Sequence, residues 1–324
     1  MNRPARGALL RLIFAAALVG VTLWHSDPRD VWKICARASL APLLVALVLA
    51  AMDRALMAYR WFVLLRALEE RRLPPFWTIL RIFFVSTFVG TFLPASIGGD
   101  AVRAYSLSSH QVPIADAMAS VFVDRMIGVL SVLLMALLGL ALARDLAENP
   151  AVLLTLGVTT LACIAAAALV FSAAADTLAE TLLVRVPWVR LRRAAGSLMA
   201  SIRRYAGHSR ALGDVLIGSI TVQLLRIFQA YALGAALGIR QPLHTYLAFI
   251  PLILLIMFLP ITANGIGTTQ AAFVWLFGRA GTSGAEAFAL SVLFVGLGIA
   301  ANTMGAPFYL HRPAPLSDFD QASP

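Results

Sequence analysis

Phe92-Leu93-Pro94-Ala95-Ser96-Ile97-Gly98-Gly99-Asp100 recurs in outline as Phe258-Leu259-Pro260-Ile261-Thr262-Ala263-Asn264-Gly265-Ile266-Gly267. Each copy closes a long apolar run with Phe-Leu-Pro, a short spacer and a glycine-rich break. Proline removes a helix donor and glycine frees the backbone. Pro94, Pro260, Gly265 and Gly267 therefore read as helix breaks. Irregular backbone at membrane depth survives only where it is buried in protein or lines a cavity. Two interrupted helices at corresponding places in two halves point to a transporter-type site.

The composition sets the class. The 324 residues are 60% hydrophobic and 13% charged, with a mean hydropathy of +0.84, outside the range of soluble globular domains. Uncharged runs at 126–143, 151–175 and 287–310 each reach the length of a membrane span, about 18 residues or more. Residues 241–278 are uncharged apart from His244. As one helix this run would be roughly 57 Å long, nearly twice the hydrocarbon core. It must break, and the second motif is where.

The net charge of +10 comes from 26 basic residues, all arginine except Lys33. Their flanking positions argue against nucleic acid as a partner. The densest group is Arg185, Arg190, Arg192, Arg193, Arg203, Arg204 and Arg210, with no acid between Glu180 and Asp214. Such an excess marks a cytoplasmic loop facing anionic headgroups, or a lipid or partner site there. Cys35 and Cys163 lack metal spacing and are not expected to pair. The apolar stretch after Arg3, Arg6 and Arg11 resembles a signal peptide but is followed by no convincing cleavage site, so an uncleaved first helix is expected.

The expected fold is an all-α polytopic membrane protein forming a single integral-membrane domain over 1–324. Full spans are expected near 7–24, 40–65, 114–143, 150–172, 211–237 and 285–310, with broken elements at 76–99 and 242–280. Arginine bias places the N-terminus, 66–72 and 176–210 in the cytoplasm. Parity then requires 76–99 to enter and leave on one side, and 242–280 to do so from the other. The result is about six full spans plus two re-entrant elements in an inverted repeat, with halves 7–143 and 150–310, a basic connector at 174–210, and both termini cytoplasmic. Eight plain spans are the alternative.

Ionisable groups inside spans are costly and default to functional hypotheses. Asp53 and Arg54 lie near the middle of the second span. Arg60 shares a face with Asp53, so Asp53 either balances Arg60 or takes part in a purely structural pair, and Arg54 is free to pair across to another helix. If a helix begins after Gly99, Asp100 sits at its N-terminus. Asp100 and Arg103 are then either a cap and a local pair, or, with the amides of Gly98 and Gly99, a phosphate-headgroup site. Asp116, Ser120 and Asp124 form one stripe, next to Arg125, that faces either Arg103 or Arg81 across a cavity, or solvent. In the second half Gln223 and Arg226 share a side of their helix, with Gln229 rotated. Asn264, Thr268, Thr269 and Gln270 are neutral polar groups at the second break, explicable by interhelical hydrogen bonds alone. No GxSxG, HExxH or Walker A motif is present, and no metal cluster or cofactor site is visible.

Arg60-Trp61 with Leu64-Leu65, then 88–100 continuing to Arg103, Tyr105 and Leu107, then Asp124-Arg125 with Gly128, then 259–267 with Phe273, resemble the integral-membrane domain of lysylphosphatidylglycerol synthase. The resemblance spans about residues 8 to 310, and its F-L-P-x3-G-G-D-x2-R and D-R-x2-G blocks are fairly specific together. It implies translocation of a lipid between leaflets of the bacterial inner membrane. It carries Asp100, Arg103, Asp124 and Arg125 over as cavity residues. That family often has Arg-Glu where this chain has Thr269-Gln270, a departure from the pattern of the standard cargo. The resemblance does not extend to the soluble aminoacyl-transferase domain, so lipid synthesis is not expected of this chain.

The sequence thus points to a non-enzymatic protein that reorients a lipid with an anionic or phosphate-bearing headgroup. Its partners would be the bilayer, that lipid, and a separate lipid synthase or glycosyltransferase. Arg54, Arg103 and Arg226 would meet the headgroup, balanced by Asp53, Asp100 and Asp124. The rivals are a membrane transferase acting on polyprenyl-phosphate lipids or phospholipids, and a non-transporting anchor subunit of a lipid synthase.

Overall fold

A computed structural model describes residues 16–68, 73–92, 96–142, 150–171, 189–258, 262 and 265–310. Among them the secondary structure is entirely helical. The elements in chain order are α1 (Ala16–His25), α2 (Pro28–Ala36), α3 (Leu40–Leu68), α4 (Phe76–Phe92), α5 (Ser96–Ser108), α6 (Ile114–Leu142), α7 (Pro150–Phe171), α8 (Val189–Arg204), α9 (Ser209–Ala236), α10 (Leu243–Phe258), α11 (Thr268–Arg279), α12 (Gly284–Thr303) and α13 (Ala306–Leu310). Pro94, Pro260 and Asn264 lie outside the described residues.

Among the described residues, four segments are long and apolar enough to cross a membrane: α3, α6, α9 and the stretch Gly284–Leu310 covered by α12 and α13. Their outer surfaces carry Leu44, Val48, Leu137, Ile217 and Ile299, all exposed. A soluble protein would bury such a belt; here the solvent for it is lipid. Trp24 and Trp77 stand exposed near helix ends and Trp32 stands exposed on the short α2; indoles favour the headgroup boundary.

The centre is the antiparallel pair α3 and α9, the most extensive packing in the molecule. Its register is fixed at three levels: Ser39 N donates to the Ala236 carbonyl at 2.8 Å, Arg226 meets Asp53, and Arg60 meets Ser219. α6 runs against α3, with Trp61 Nε1 donating to Ser120 Oγ at 3.1 Å.

Both expected breaks occur, and each folds its helix back on itself. In the first, Ile79 and Phe83 of α4 pack with Ala104 and Leu107 of α5. A Cβ on Gly99 would lie 2.9 Å from the Ser86 carbonyl and 3.1 Å from Gly90 Cα. The two backbones therefore touch, which only glycine permits. In the second, Phe277 of α11 packs on Tyr246 and Phe249 of α10 with ring centroids 5.1 and 5.4 Å apart. Gln241 Nε2 donates to the Ala280 carbonyl at 2.8 Å across its base.

Some expectations need correction. The return arm of the first hairpin runs to Ser108 instead of ending at 99. Two amphipathic helices appear in segments that were expected to be loops. α2 starts at Pro28, with Asp27 accepting from Arg29 N at 3.0 Å as its cap, and packs on α12. α8 lies in the basic connector and packs on α6. Both are too short and polar to show up as apolar runs. The first arm of each hairpin also packs on a span distant from it in sequence. α10 lies along α6, where a Cβ on Gly139 would be 2.6 Å from the Ala248 carbonyl. α4 lies along α12 and α13, with Arg81 Nη2 donating to the Phe308 carbonyl at 3.2 Å and Asn302 Nδ2 donating to Thr91 Oγ1 at 2.9 Å.

Candidate functional site

The charged residues inside the spans gather into two centres along α3. The first joins α3, α5, α6 and α9. Arg60 Nε and Nη2 donate to Asp124 Oδ1 at 3.0 and 2.8 Å, and Nη1 donates to Ser219 Oγ at 2.7 Å. Arg103 takes the other oxygen, with Nη1 and Nη2 3.4 and 3.3 Å from Asp124 Oδ2. Its guanidinium lies 4.8 Å from the Trp61 ring and 5.3 Å from the Phe83 ring, where aromatic faces favour a cation. Arg60, Arg103 and Asp124 are 4%, 4% and 2% exposed. Asp100 extends the centre outward, 3.4 Å from Arg103 Nη2. It accepts a forked pair of bonds from Arg125 Nε and Nη2 at 2.8 and 2.9 Å. Arg125 is the most exposed member, at 44%.

The second centre lies two turns along α3, about 10 Å by helical rise. Asp53 Oδ1 accepts from Arg226 Nε at 3.2 Å, and Oδ2 accepts from Arg54 Nη1. Arg54 Nε also donates to Asn302 Oδ1 at 2.9 Å, which links the centre to α12 and, through Thr91, to the end of α4. Met57 Sδ lies 3.4 Å from Arg226 Nη2.

Each centre has one more arginine than acid. The first sets Arg60, Arg103 and Arg125 against Asp100 and Asp124; the second sets Arg54 and Arg226 against Asp53. A charge held in low dielectric without a counter-charge is costly. The excess is arranged as a ladder from the exposed Arg125 inward. Such a ladder is suited to an anion.

The family model described as the lysylphosphatidylglycerol synthase TM region matches residues 8–304. The chain belongs to that family. Among curated proteins no sequence matches it significantly. It is a membrane protein, and in this lysylphosphatidylglycerol synthase TM-region chain the sequence-derived candidates fall as follows.

Asp100, Arg103, Asp124 and Arg125 come together in the first centre. Asp53, Arg54 and Arg226 come together in the second. Asp53 does not face Arg60: Arg60 turns to Asp124, because α6 brings a carboxylate to it, while α9 brings Arg226 to Asp53. Arg54 reaches another helix. Of the α6 stripe, Asp124 faces Arg103, but Asp116 instead meets Arg204 and Ser201 of α8.

Of the two readings of Asp100, the N-cap one required a helix that begins after Gly99. α5 begins at Ser96, which puts Asp100 beyond the first turn. Gly98 remains among the free first-turn amides, whereas Gly99 is required by its contact with Gly90. At the second break, Gly265 and Gly267 have φ of 73° and 91°, the left-handed region glycine favours. Gln270 Oε1 accepts from Gly267 N at 2.6 Å, and Thr269 Oγ1 donates to the Gly265 carbonyl at 2.7 Å. Among the described residues, the bonds of Thr268, Thr269 and Gln270 close the turn on itself. Ser219, Asn302 and Thr91 escaped the sequence reading. Ser219 carried a signal, since it stands four residues before Gln223 and seven before Arg226, on one face.

Proposed function

We propose that this protein reorients a lipid with an anionic, phosphate-bearing headgroup between the leaflets of the bacterial inner membrane. The observation that carries the reading is the surplus of arginine over acid at two levels of the central α3–α9 pair. A phosphate monoanion matches the excess of one charge at either centre, and arginine forks suit phosphate oxygens. The partial exposure of Arg125, Arg54 and Arg226, against the near-complete burial of Arg60 and Arg103, gives the headgroup an entry and a waypoint.

The architecture of the proposal is an inverted repeat with halves 7–143 and 150–310. It is supported by matched packing: α8 on α6 and α2 on α12, α5 on α6 and α11 on α12, and α3 with α9 as the shared pair. In this reading α4–α5 and α10–α11 are re-entrant hairpins entering from opposite sides. The basic connector 174–210, with α8, lies in the cytoplasm together with both termini. The hairpins would rock about the arginine centres. A separate lipid synthase or glycosyltransferase would supply the cargo.

The test is mass spectrometry of lipids that co-purify with wild type, Arg103→Ala and Arg226→Ala. The expected result is one anionic lipid class enriched in wild type and lost in both variants. Bulk membrane lipid in all three contradicts the proposal. A chemically altered lipid that accumulates on incubation would point instead to a transferase.

A further inference from the structure

The two arginine centres are joined by a polar residue whose acceptor has no donor. Gln223 stands on α9 four residues after Ser219 and three before Arg226, so all three share a face. Ser219 belongs to the first centre and Arg226 to the second. Gln223 is 3% exposed. Its Nε2 donates to Ser131 Oγ at 3.1 Å, and Ser131 donates its own proton to the Gly128 carbonyl at 2.7 Å. With its proton on Gly128, the Ser131 oxygen accepts from the Gln223 amide, and this network assigns the amide's orientation. Gln223 Oε1 then has no donor among the described residues.

The neighbours on its face are already engaged. Ser219 gives its proton to the Val215 carbonyl at 2.6 Å and accepts from Arg60. Arg226 is turned to Asp53 and Met57. A buried acceptor with no donor is rare in native proteins and calls for an explanation. Its place between two anion-binding centres supplies one.

We propose that Gln223 Oε1 reads a hydroxyl donor on the headgroup of the transported lipid. The cargo class is then an anionic phospholipid whose headgroup bears a hydroxyl beyond the phosphate, of the polyol or sugar type. The inference rests on the lipid-reorientation reading. The charge around Gln223 decides between donors. Five arginines against three acids repel an ammonium and leave a neutral hydroxyl as the fitting partner. A quaternary ammonium headgroup has no donor at all, and a simple alkyl phosphate ester has the charge without the donor.

The experiment compares tail-labelled phosphatidylglycerol and phosphatidylethanol in proteoliposomes. Both carry one negative charge, and only the first has hydroxyls. Wild type is expected to reorient phosphatidylglycerol about five-fold faster, the factor one neutral hydrogen bond supplies. In Gln223→Met the ratio of the two rates, measured in one sample, is expected to fall to near one. A wild-type ratio of one overturns the proposal without any variant. So does a Gln223→Met ratio equal to that of wild type. If wild type moves neither lipid, the reorientation reading itself fails, a result distinct from equal movement of both.

Discussion

Replacing Asp124 with Asn tests what holds the inner arginine centre. In the native protein its two oxygens serve two buried guanidinium groups, at 2.8–3.0 Å from Arg60 and 3.3–3.4 Å from Arg103. Asparagine keeps one acceptor and turns the other oxygen into an NH2 facing a cation. Arg103 retains Asp100, but Arg60, 4% exposed to solvent, loses its only counter-charge among the described residues and keeps neutral acceptors alone, Ser219 and the amide oxygen. Removing one partner of a buried pair costs about 3–5 kcal/mol. At about 2 °C per kcal/mol for a chain of this size, the unfolding midpoint in detergent should fall by about 6–10 °C. Asp53→Asn should cost less, about 1–3 kcal/mol, because Arg54 and Arg226 are 13% and 20% exposed and Arg54 keeps Asn302. Adding Arg60→Met to Asp124→Asn removes the orphaned charge and should recover more than half of the loss. A midpoint unchanged in Asp124→Asn, or a double variant less stable than the single, would refute the reasoning.

Other consequences follow from the packing. Gly99→Ala places a Cβ against the Ser86 carbonyl and Gly90, where backbone must move; the variant should lose stability by about 1–3 kcal/mol, measured as thermal midpoint. The Tyr246 hydroxyl is buried without a partner among the described residues, so Tyr246→Phe should leave the midpoint unchanged or raise it; Gly234→Ala, whose Cβ would meet that hydroxyl, should be partly rescued by Tyr246→Phe. Asp116→Ala frees α8 from α6; because Arg204 is half exposed the midpoint should change by less than about 1 kcal/mol in free energy, while trypsin cleavage within 189–204 should accelerate. In a background lacking Cys35 and Cys163, an impermeant maleimide applied to spheroplasts should label Arg37→Cys and spare Ser109→Cys; equal labelling of both would contradict the proposed orientation.

The two helix interruptions were legible because proline and glycine act locally: α4 ends at Phe92 and α10 at Phe258, each just before its Leu-Pro. The membrane class was legible from uncharged runs alone. The amphipathic α2 and α8 were not, since their apolar faces are short and acquire meaning only against α12 and α6. The pairing of charges was legible in part. Asp100, Arg103 and Arg125 are near one another in sequence or on adjoining helices, and their meeting could be anticipated. The partners of Asp53 and Arg60 could not: helical spacing puts those two on one face, but the α3–α9 register and the approach of α6 give each a closer partner. Gly99, read as a ligand glycine, has a packing role that the sequence did not show: it lets α4 and α5 touch. Gln223 was visible as a polar residue, but its unpaired oxygen needed the bonds of Ser131 to be seen.

The most direct test is leaflet reorientation of tail-labelled phosphatidylglycerol in proteoliposomes, read by quenching with an impermeant reductant. Wild type is expected to expose label from both leaflets, whereas folded Arg103→Ala and Arg226→Ala expose only the outer one. Quenching confined to the outer leaflet in wild type, or full quenching in both variants, would contradict the account.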